Sequence, residues 1–435
     1  MTKRFIYICF CLVFGSINCF GQDLLTVKDA ISIALENNYD LKLSENNVSI
    51  AKENVTRGNA GMLPTVTANF TQNNSVQNST QTQASGDVRS LDNAKNNSMN
   101  YGVSIGWTIF DGLGMFSRYE TLKELQKQGE VELKRMILTR VSDVISTYYS
   151  IVEQQNLLSA IDSSILISKE RLETAQNRFS IGKASRLEVL NVQVNLNTDE
   201  SARIKQESVV RNLKISLNNL LARDLQEDFQ VVDEVVIAEN LLLGDMISLA
   251  KENNPDLILI SINRRIAELE QKSIKANRYP VVRLNGGYNF SESESSLGFV
   301  SQSNSRGLNY GITASINIFD GFNQRKNERI AKIRVDNADL LIDQTNLQIE
   351  SEIIKAFNLY QTNLELVKIE ERNQEIARQN LNITLEKYKI GTLSAVEFRD
   401  AQENFINAVS RFNNARTQAK LSETLLMELI GKIEL

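Results

Sequence analysis

A long internal repeat is the feature that most constrains how this chain of 435 residues can fold. Segment 34–41 (ALENNYDL) recurs as 250–257 (AKENNPDL), and this offset of 216 residues also separates Pro64 from Pro280. Later pairs share an offset of 209 residues: Tyr101 with Tyr310, Ile109 with Ile318, Ile181 with Ile390, and Leu220 with Leu429. The pattern predicts two copies of one folding unit, residues 22–228 and 229–435.

Residues 1–21 have the pattern of an export signal peptide. Two basic residues precede an apolar run over 5–14, which is too short to span a bilayer as a helix. Cleavage near Gly21 would leave a mature protein without thiols, because the cysteines are Cys9, Cys11 and Cys19. An N-terminal core helix and a lipoprotein acylated at Cys19 are the alternatives. Beyond residue 22 no stretch approaches the ~20 apolar residues of a transmembrane helix, so a membrane span would have to be a β-barrel.

Two stretches alternate apolar and polar residues with the period of a β-strand. The apolar positions are Met99, Tyr101, Val103, Ile105, Trp107 and Ile109, then Leu308, Tyr310, Ile312, Ala314, Ile316 and Ile318. Each alternation is long enough for a strand of a membrane barrel. Weaker partner strands begin at Val66 and Val282, which predicts one hairpin within 64–110 and another within 280–319. Polar segments 72–98 and 291–306 are predicted as exposed loops that close the hairpins.

Hairpins of a soluble β-sandwich would alternate in the same way. Two hairpins alone, however, cannot close a barrel or bury much core, and an open pair leaves bare edges. Several chains that contribute four strands each would remove those edges, so the pattern favours a membrane barrel.

Long helices are predicted for most of the remaining chain. The chain has only three prolines, and proline breaks helix interiors. Apolar residues over 113–180 step by three and four, as in a coiled coil, and 322–389 is the matching helix. Each of these two helices is predicted to end at an Ile-Gly pair. A second helix then runs back, over about 185–222 in the first copy and 394–430 in the second.

The predicted junctions carry residues that suit a change of structure. A proline ends a helix and favours extended geometry before it, and an aspartate favours a helix start. The junction residues are Pro64 and Pro280 before the hairpins, and Asp111, Gly112, Asp320 and Gly321 after them.

Composition argues against catalysis and nucleic-acid binding. The chain has no histidine, the commonest general base and metal ligand, and it lacks a glycine-rich phosphate loop or a nucleophile elbow. We therefore expect no enzymatic activity, no cofactor and no metal site. A net charge of −5 argues against a nucleic-acid partner.

The order of helix, two strands, long helix, Ile-Gly turn and return helix, present twice behind an export signal, resembles the TolC family of outer-membrane efflux proteins. The resemblance covers the whole mature chain and rests on the two prolines, the two Phe-Asp-Gly junctions and the hairpin tips at 181–188 and 390–397. It implies a mainly α fold with a small β part. Three copies would pool four strands each into a 12-stranded outer-membrane barrel, and their coiled-coil helices would form a tunnel across the periplasm.

The resemblance also implies partners. The chain would be a homotrimeric exit duct in outer-membrane lipid, driven by an inner-membrane pump and joined by a periplasmic adaptor. The residues expected to dock the adaptor are Ile181, Gly182, Lys183, Ala184, Ser185, Ile390, Gly391, Thr392, Leu393 and Ser394. Ordinary packing within a hairpin turn is the alternative role for these residues.

Acidic residues beyond the tips are the expected channel constriction. By the family pattern these are Glu188 in the first copy and Glu397 and Asp400 in the second. Glu397 and Asp400 share one helix face, and around a threefold axis they would form a carboxylate ring that favours cations. The alternative is a solvated acidic face. Related channels often carry a basic residue at the position of Leu393, so the closed state here would be held differently.

Two further interpretations remain. A soluble periplasmic coiled-coil adaptor or scaffold would explain the helices but not the aromatic-bearing alternating hairpins, since aromatic residues are enriched at membrane interfaces. The same fold could instead export proteins or metal ions, and the chain itself does not identify its cargo.

Overall fold

The computed structural model of the protein describes residues 24–238, 240–297 and 300–432. The predicted signal peptide and its cysteines lie outside the described residues. The first copy contains β1 (Leu24–Leu25), α1 (Val27–Asn37), α2 (Tyr39–Asn54), β2 (Thr65–Thr82), β3 (Val88–Asp111), α3 (Gly114–Ser180) and α4 (Arg186–Leu220). The second contains β4 (Gln230–Val231), α5 (Leu243–Asn253), α6 (Pro255–Ala276), β5 (Val281–Ser295), β6 (Gln302–Ser315), α7 (Asn323–Lys389) and α8 (Ala395–Leu429). Because the same order of elements occurs twice, the predicted tandem repeat is confirmed.

By its internal contacts the chain divides into two units, each built from both copies. One unit comprises the described parts of 1–45, 133–257 and 346–435. Its two main hydrophobic clusters occupy equivalent positions of the two copies: Val144, Ile151 and Leu217 in the first, and Ile353, Tyr360 and Leu426 in the second. The clusters form because α3 and α7 place apolar residues at steps of three and four on one face.

The long helices begin and end within two residues of their predicted bounds. Both α3 and α7 have 67 residues and both return helices have 35. Five apolar residues step by four and three along α3: Ile137, Val141, Val144, Tyr148 and Ile151. The last four are buried and Ile137 is half-buried, as the coiled-coil spacing predicts. Among the described helices, none is both long and apolar enough to cross a membrane.

The other unit, 46–132 and 258–345, contains a four-stranded antiparallel sheet of order β2-β3-β5-β6. Its register places Phe70 opposite Tyr101, and Tyr101 opposite Phe290. The rings of Tyr101 and Phe290 stack with centroids 4.8 Å apart, which stabilises this cross-strand pair. Within the described residues, no further strand pairs with the outer edge of β2 or of β6.

The prediction of long polar loops at 72–98 and 291–306 is wrong. The strands continue through these segments, and only 83–87 and 296–301 connect them. Antiparallel backbone hydrogen bonds form regardless of side-chain polarity, and polar side chains also pair across the ladder. Thr80 and Ser90, for example, share a hydrogen bond of 2.9 Å.

The prediction also extends the last strand of the second hairpin too far. β6 ends at Ser315, whereas the apolar pattern continues to Ile318. Ser315 pairs with Val281, the first residue of β5, so the following residues have no neighbouring strand in the described chain. The equivalent β3 reaches Asp111, which pairs with the same Val281, because β3 and β6 align with β5 in different registers.

The junction residues lie where the sequence placed them. Pro64 and Pro280 directly precede β2 and β5. At each strand-to-helix turn the aspartate caps the helix: the Met115 N–H donates to Asp111 Oδ1 at 3.0 Å, and the Gln324 N–H donates to Asp320 Oδ2 at 2.6 Å. These caps satisfy backbone donors that the first helical turn leaves free.

Each of these turns also contains two consecutive residues in the left-handed region. Gly112 and Leu113 have φ of 69° and 70°, and Gly321 and Phe322 have φ of 67° and 64°. Glycine adopts this conformation without steric cost. At Gly112 space is limiting as well, since a Cβ there would lie 2.2 Å from the carbonyl oxygen of Ala276.

Candidate functional site

The two hairpin tips end their long helices in the same way. Gly182 and Gly391 have φ of 75° and 77°. The Lys183 N–H donates to the carbonyl of Arg178 at 2.7 Å, and the Thr392 N–H donates to the carbonyl of Lys387 at 3.0 Å. These bonds form a Schellman motif, which requires a left-handed residue after the helix. The tip glycines therefore terminate α3 and α7.

The return helices start at equivalent serine caps. Ser185 Oγ accepts from the Glu188 N–H at 3.2 Å, and Ser394 Oγ accepts from the Glu397 N–H at 3.3 Å. In the second tip the cap is reciprocal, because the Ser394 N–H donates to Glu397 Oε2 at 3.0 Å. This capping box lowers the pKa of Glu397, through the hydrogen bond from the Ser394 backbone and then that from its hydroxyl.

Glu188 is oriented differently from Glu397. Its carboxylate lies 3.9 Å from the guanidinium of Arg178, on the preceding helix. Arg178 also lies against the second tip, since a Cβ on Gly391 would be 3.3 Å from Arg178 Nη2. The position equivalent to Arg178 is Lys387, so this contact belongs to the first tip.

Asp400 differs from the other two predicted constriction residues in its lack of a side-chain partner within the described chain. It is exposed, and the structure gives it no hydrogen bond or ion pair with any described residue. Its equivalent in the first copy is Asn191. Glu397 and Asp400 lie one turn apart on α8, and the Glu397 carboxylate is folded back onto Ser394.

The predicted docking residues fall into two groups. Ile181 and Ile390 are 66% and 75% exposed, unusually high for isoleucine. Ser185 and Ser394 are caps, and the Thr392 hydroxyl donates to the carbonyl of Lys387 at 3.1 Å. The remaining exposed tip positions are Gly182, Lys183 and Gly391, with Ala184 half-buried.

Leu393, where related channels often carry a basic residue, has a packing role. It is half-buried against a cluster formed by Leu381, Tyr388 and Phe398. A charged side chain at this position would be moved out of water beside apolar residues. The departure from the family pattern is therefore accommodated by a small hydrophobic core in the second tip.

A buried polar cluster near the tips joins the two helical hairpins, and sequence reasoning missed it. Arg399 Nη1 on α8 donates to Asp199 Oδ1 on α4 at 2.6 Å, and Ser168 Oγ on α3 donates to Asp199 Oδ2 at 2.7 Å. The Asp199 side chain is only 5% exposed and that of Arg399 18%. Gln402 on α8 completes the cluster by donating to Ser168 Oγ at 2.8 Å.

Arg171 lies beside this cluster, and no carboxylate of the described residues pairs with it. It is 1% exposed, and its guanidinium carbon lies 4.6 Å from the ring centre of Phe398 and 5.4 Å from that of Tyr388. Nη2 donates to the carbonyl of Ala395 at 3.2 Å, whereas Nε and Nη1 have no partner among the described residues. Burial lowers the pKa of Arg171.

One sequence signal could have revealed this cluster. Ser164, Ser168, Arg171 and Ala175 recur at helical spacing on α3, the pattern of a buried face, and three of the four are polar. The internal repeat hides the ion pair, because the equivalents of Asp199 and Arg399 are Ala408 and Leu190.

Known protein sequences match most of this chain. Residues 30–223 and 246–432 match the family model described as outer membrane efflux protein. The outer membrane protein TolC of Vibrio cholerae is 19% identical over 391 residues, which cover 88% of this chain and 85% of that protein. The outer membrane protein OprJ of Pseudomonas aeruginosa is 23% identical over 412 residues, covering 92% and 83%.

A solved structure shares the fold. The CmeC outer membrane channel of Campylobacter jejuni superposes with a TM-score of 0.77 over 93% of this chain and 85% of that one, at 19% identity. The tandem helical hairpins and the four-stranded sheet are thus features of a known architecture.

Proposed function

The chain belongs to the outer membrane efflux protein family, and on this premise we propose that three copies form one passive exit duct for small molecules. Members of this family are channel components of efflux and secretion systems, not enzymes, and this protein is such a component of the outer membrane, extending into the periplasm. A periplasmic adaptor and an energised inner-membrane pump would deliver the cargo. The main support for this proposal is that each chain has a four-stranded sheet, with two edges unpaired among the described residues, and two helical hairpins.

The sheet supports assembly because it is incomplete in one chain. The outer edges of β2 and β6 carry backbone donors and acceptors that no strand of the described chain satisfies. In a bilayer such groups must be paired, which a closed barrel achieves. Pairing β6 of one copy with β2 of the next would close three sheets of four strands into a barrel of twelve.

The helices support the same assembly. On α7 the residues Ile369, Ile376 and Ile383 recur every seven positions and are 45%, 65% and 57% exposed. On α4, Leu187 and Val194 have the same spacing and are 66% and 61% exposed. Heptad stripes of this kind pack against another helix, and a second copy of the chain offers one.

A charge in the α7 stripe tests this interface. We expect Ile383→Lys to convert trimers into monomers at micromolar concentration, because a buried lysine without a partner is costly. Mass photometry in detergent measures the change. Asn382→Lys places the same charge beside the stripe, on an exposed position, and should leave trimers intact. Trimers of unchanged stability in the Ile383→Lys variant would contradict the proposed packing.

Asp400, with Glu397 and Glu188, is proposed to form the constriction of this duct. The support is that Asp400 is exposed and free of partners within the described chain. Three copies around an axis would collect its charges into a ring, and acidic rings favour cations. Since Glu397 and Glu188 are partly engaged by Ser394 and Arg178, we expect Asp400 to dominate selectivity.

Reversal potentials in a salt gradient test this assignment. Asp400→Asn should lower the cation-to-anion permeability ratio severalfold, and Asn191→Asp, which adds a carboxylate at the equivalent position of the first copy, should raise it. Glu397→Gln keeps the capping box, because glutamine can serve at that position, and should have the smaller effect. An unchanged ratio in Asp400→Asn would remove Asp400 from the constriction.

Docking of the adaptor is proposed at the exposed apolar tips, Ile181 and Ile390. Ile390→Asp should reduce drug efflux in cells at least about tenfold, because burying an unpaired carboxylate in a contact costs more than ~1.4 kcal/mol. This substitution is cleaner than one at Ser394, which would also remove a helix cap. Lys387→Gln, at an exposed position about one turn before Ile390 and outside the predicted docking residues, is the control. Normal efflux by Ile390→Asp trimers would place the docking site elsewhere.

A further inference from the structure

A segment between the two stretches matched by the family model, 30–223 and 246–432, forms one wall of a cavity of about 400 Å³. We call residues 232–238 the inter-repeat linker. Val232, Glu234, Val236 and Ala238 line the cavity, whereas Val235 packs against the core of the first copy and Ile237 against that of the second. This alternation is that of an extended chain. The volume lies in the range of cavities that bind small molecules.

Hydrogen bonds fix the linker at both ends. The Val232 N–H donates to the Tyr148 hydroxyl oxygen at 3.0 Å. At the other end the Tyr360 hydroxyl donates to the carbonyl of Ala238, and the Ala238 N–H donates to Glu423 Oε2 at 3.3 Å. The wall is therefore held in place before any ligand enters, which lowers the entropic cost of binding.

Tyr149 provides a polar group in this cavity that lacks a partner. It lines the cavity and is 4% exposed, and its hydroxyl makes no hydrogen bond to any residue that the structure describes. Burial, followed by the neighbouring Tyr148, Glu423 and Glu234, raises the pKa of Tyr149 to about 12. The hydroxyl therefore stays protonated and can donate. The hydroxyl oxygen is not among the fully enclosed polar atoms, so it is reached from the cavity, where an acceptor from outside the chain can bind it.

The charged side chains around the cavity are either paired with each other or exposed to solvent. Lys420 Nζ donates to both carboxylate oxygens of Glu423, at 3.1 and 3.2 Å. Lys28 and Glu234 are exposed. The rest of the lining is mainly apolar, with Ile145 and Met427 among its members. The cavity therefore offers no unpaired buried charge to neutralise a charged ligand. Because burying an unneutralised charge is costly, the cavity favours an uncharged ligand.

We propose that this cavity, bounded by Tyr149, Met427 and the inter-repeat linker, binds an uncharged, mostly apolar small molecule that carries one hydrogen-bond acceptor for the Tyr149 hydroxyl. The site lies outside the hairpin tips and the sheet, so it is independent of the proposed exit duct.

Two fluorinated probes of similar shape test the proposal by ¹⁹F NMR on the full-length protein in detergent. 4-Fluoroacetophenone has a carbonyl acceptor, and 1-ethyl-4-fluorobenzene lacks one. We expect saturable binding of both, with the ketone about threefold to tenfold tighter, the effect of one neutral hydrogen bond. Tyr149→Phe should remove this preference while leaving the fold and the channel conductance unchanged.

A second variant separates the cavity from the detergent. Val236→Trp enlarges an exposed residue of the lining and should abolish saturable binding of both probes. Binding that persists in Val236→Trp, a ketone preference that survives Tyr149→Phe, or no saturable binding to the unmodified protein would each overturn the proposal. In the last case the cavity would hold water only.

Discussion

Replacing Asp199 with alanine is expected to lower the free energy of unfolding by about 1.5–3 kcal/mol, because the largely buried Arg399 loses a charged hydrogen-bond partner and keeps, among the described residues, only its ion pair with the more exposed Glu403. Arg399 has a side chain 18% exposed, and its bond to Asp199 measures 2.6 Å. The Ser168 hydroxyl loses its acceptor in the same variant. Chemical denaturation followed by circular dichroism measures the loss. Because the pair joins α8 to α4, conductance should also rise as the hairpins separate.

Two control variants show whether the loss of stability comes from the burial of this ion pair or from the loss of a charge alone. Asp162→Ala breaks the ion pair of Asp162 on α3 with Arg203 on α4, which has a similar distance of 2.7 Å but side chains more than 40% exposed. We expect it to cost no more than about 1 kcal/mol. The double variant Asp199→Ala, Arg399→Leu installs the residues found at the equivalent positions of the other copy, Ala408 and Leu190, and should recover most of the stability. Equal losses in Asp199→Ala and Asp162→Ala would contradict the importance of burial.

Gly112→Ala is expected to destabilise the fold by about 2–5 kcal/mol. A left-handed alanine costs ~1–2 kcal/mol, and overpacking adds about 1–3 kcal/mol, since the new Cβ would meet the Ala276 carbonyl oxygen at 2.2 Å. The yield of folded trimer and its thermal unfolding provide the measurement.

Gly321→Ala is the matched control for this substitution. Gly321 has nearly the same φ, 67°, but the nearest atom to its added Cβ is Asn323 Nδ2 at 3.8 Å. Only the conformational cost of ~1–2 kcal/mol should remain. If both variants lose the same stability, the close approach of Ala276 to Gly112 has no energetic consequence.

The sequence was sufficient for the helices because their signals are redundant. Apolar spacing, scarce proline and the repeat all indicated α3 and α7, and the tip glycines adopt the left-handed conformation that ends them. The hairpins were recovered only in part. Residues 72–98 look like a loop by composition, yet β2 and β3 pair through most of this segment. Polarity identifies a solvent-facing side chain and says little about the backbone ladder.

The candidate site shows a similar limit. The spacing of Glu397 and Asp400 is visible in the sequence, but the reciprocal cap between Ser394 and Glu397 depends on the observed start of α8. The bond between Asp199 and Arg399 joins residues 200 positions apart. Such a pair cannot be inferred from periodicity within one helix, and its equivalents in the other copy are apolar.

The central claim, that this chain forms a trimeric outer-membrane duct, is tested most directly by conductance in planar bilayers, with mass photometry of the same detergent-purified sample. The account predicts discrete, cation-selective conductance from trimers, with selectivity lowered by Asp400→Asn. A monomer that stays soluble without detergent and never conducts would contradict it, and would point to a coiled-coil scaffold.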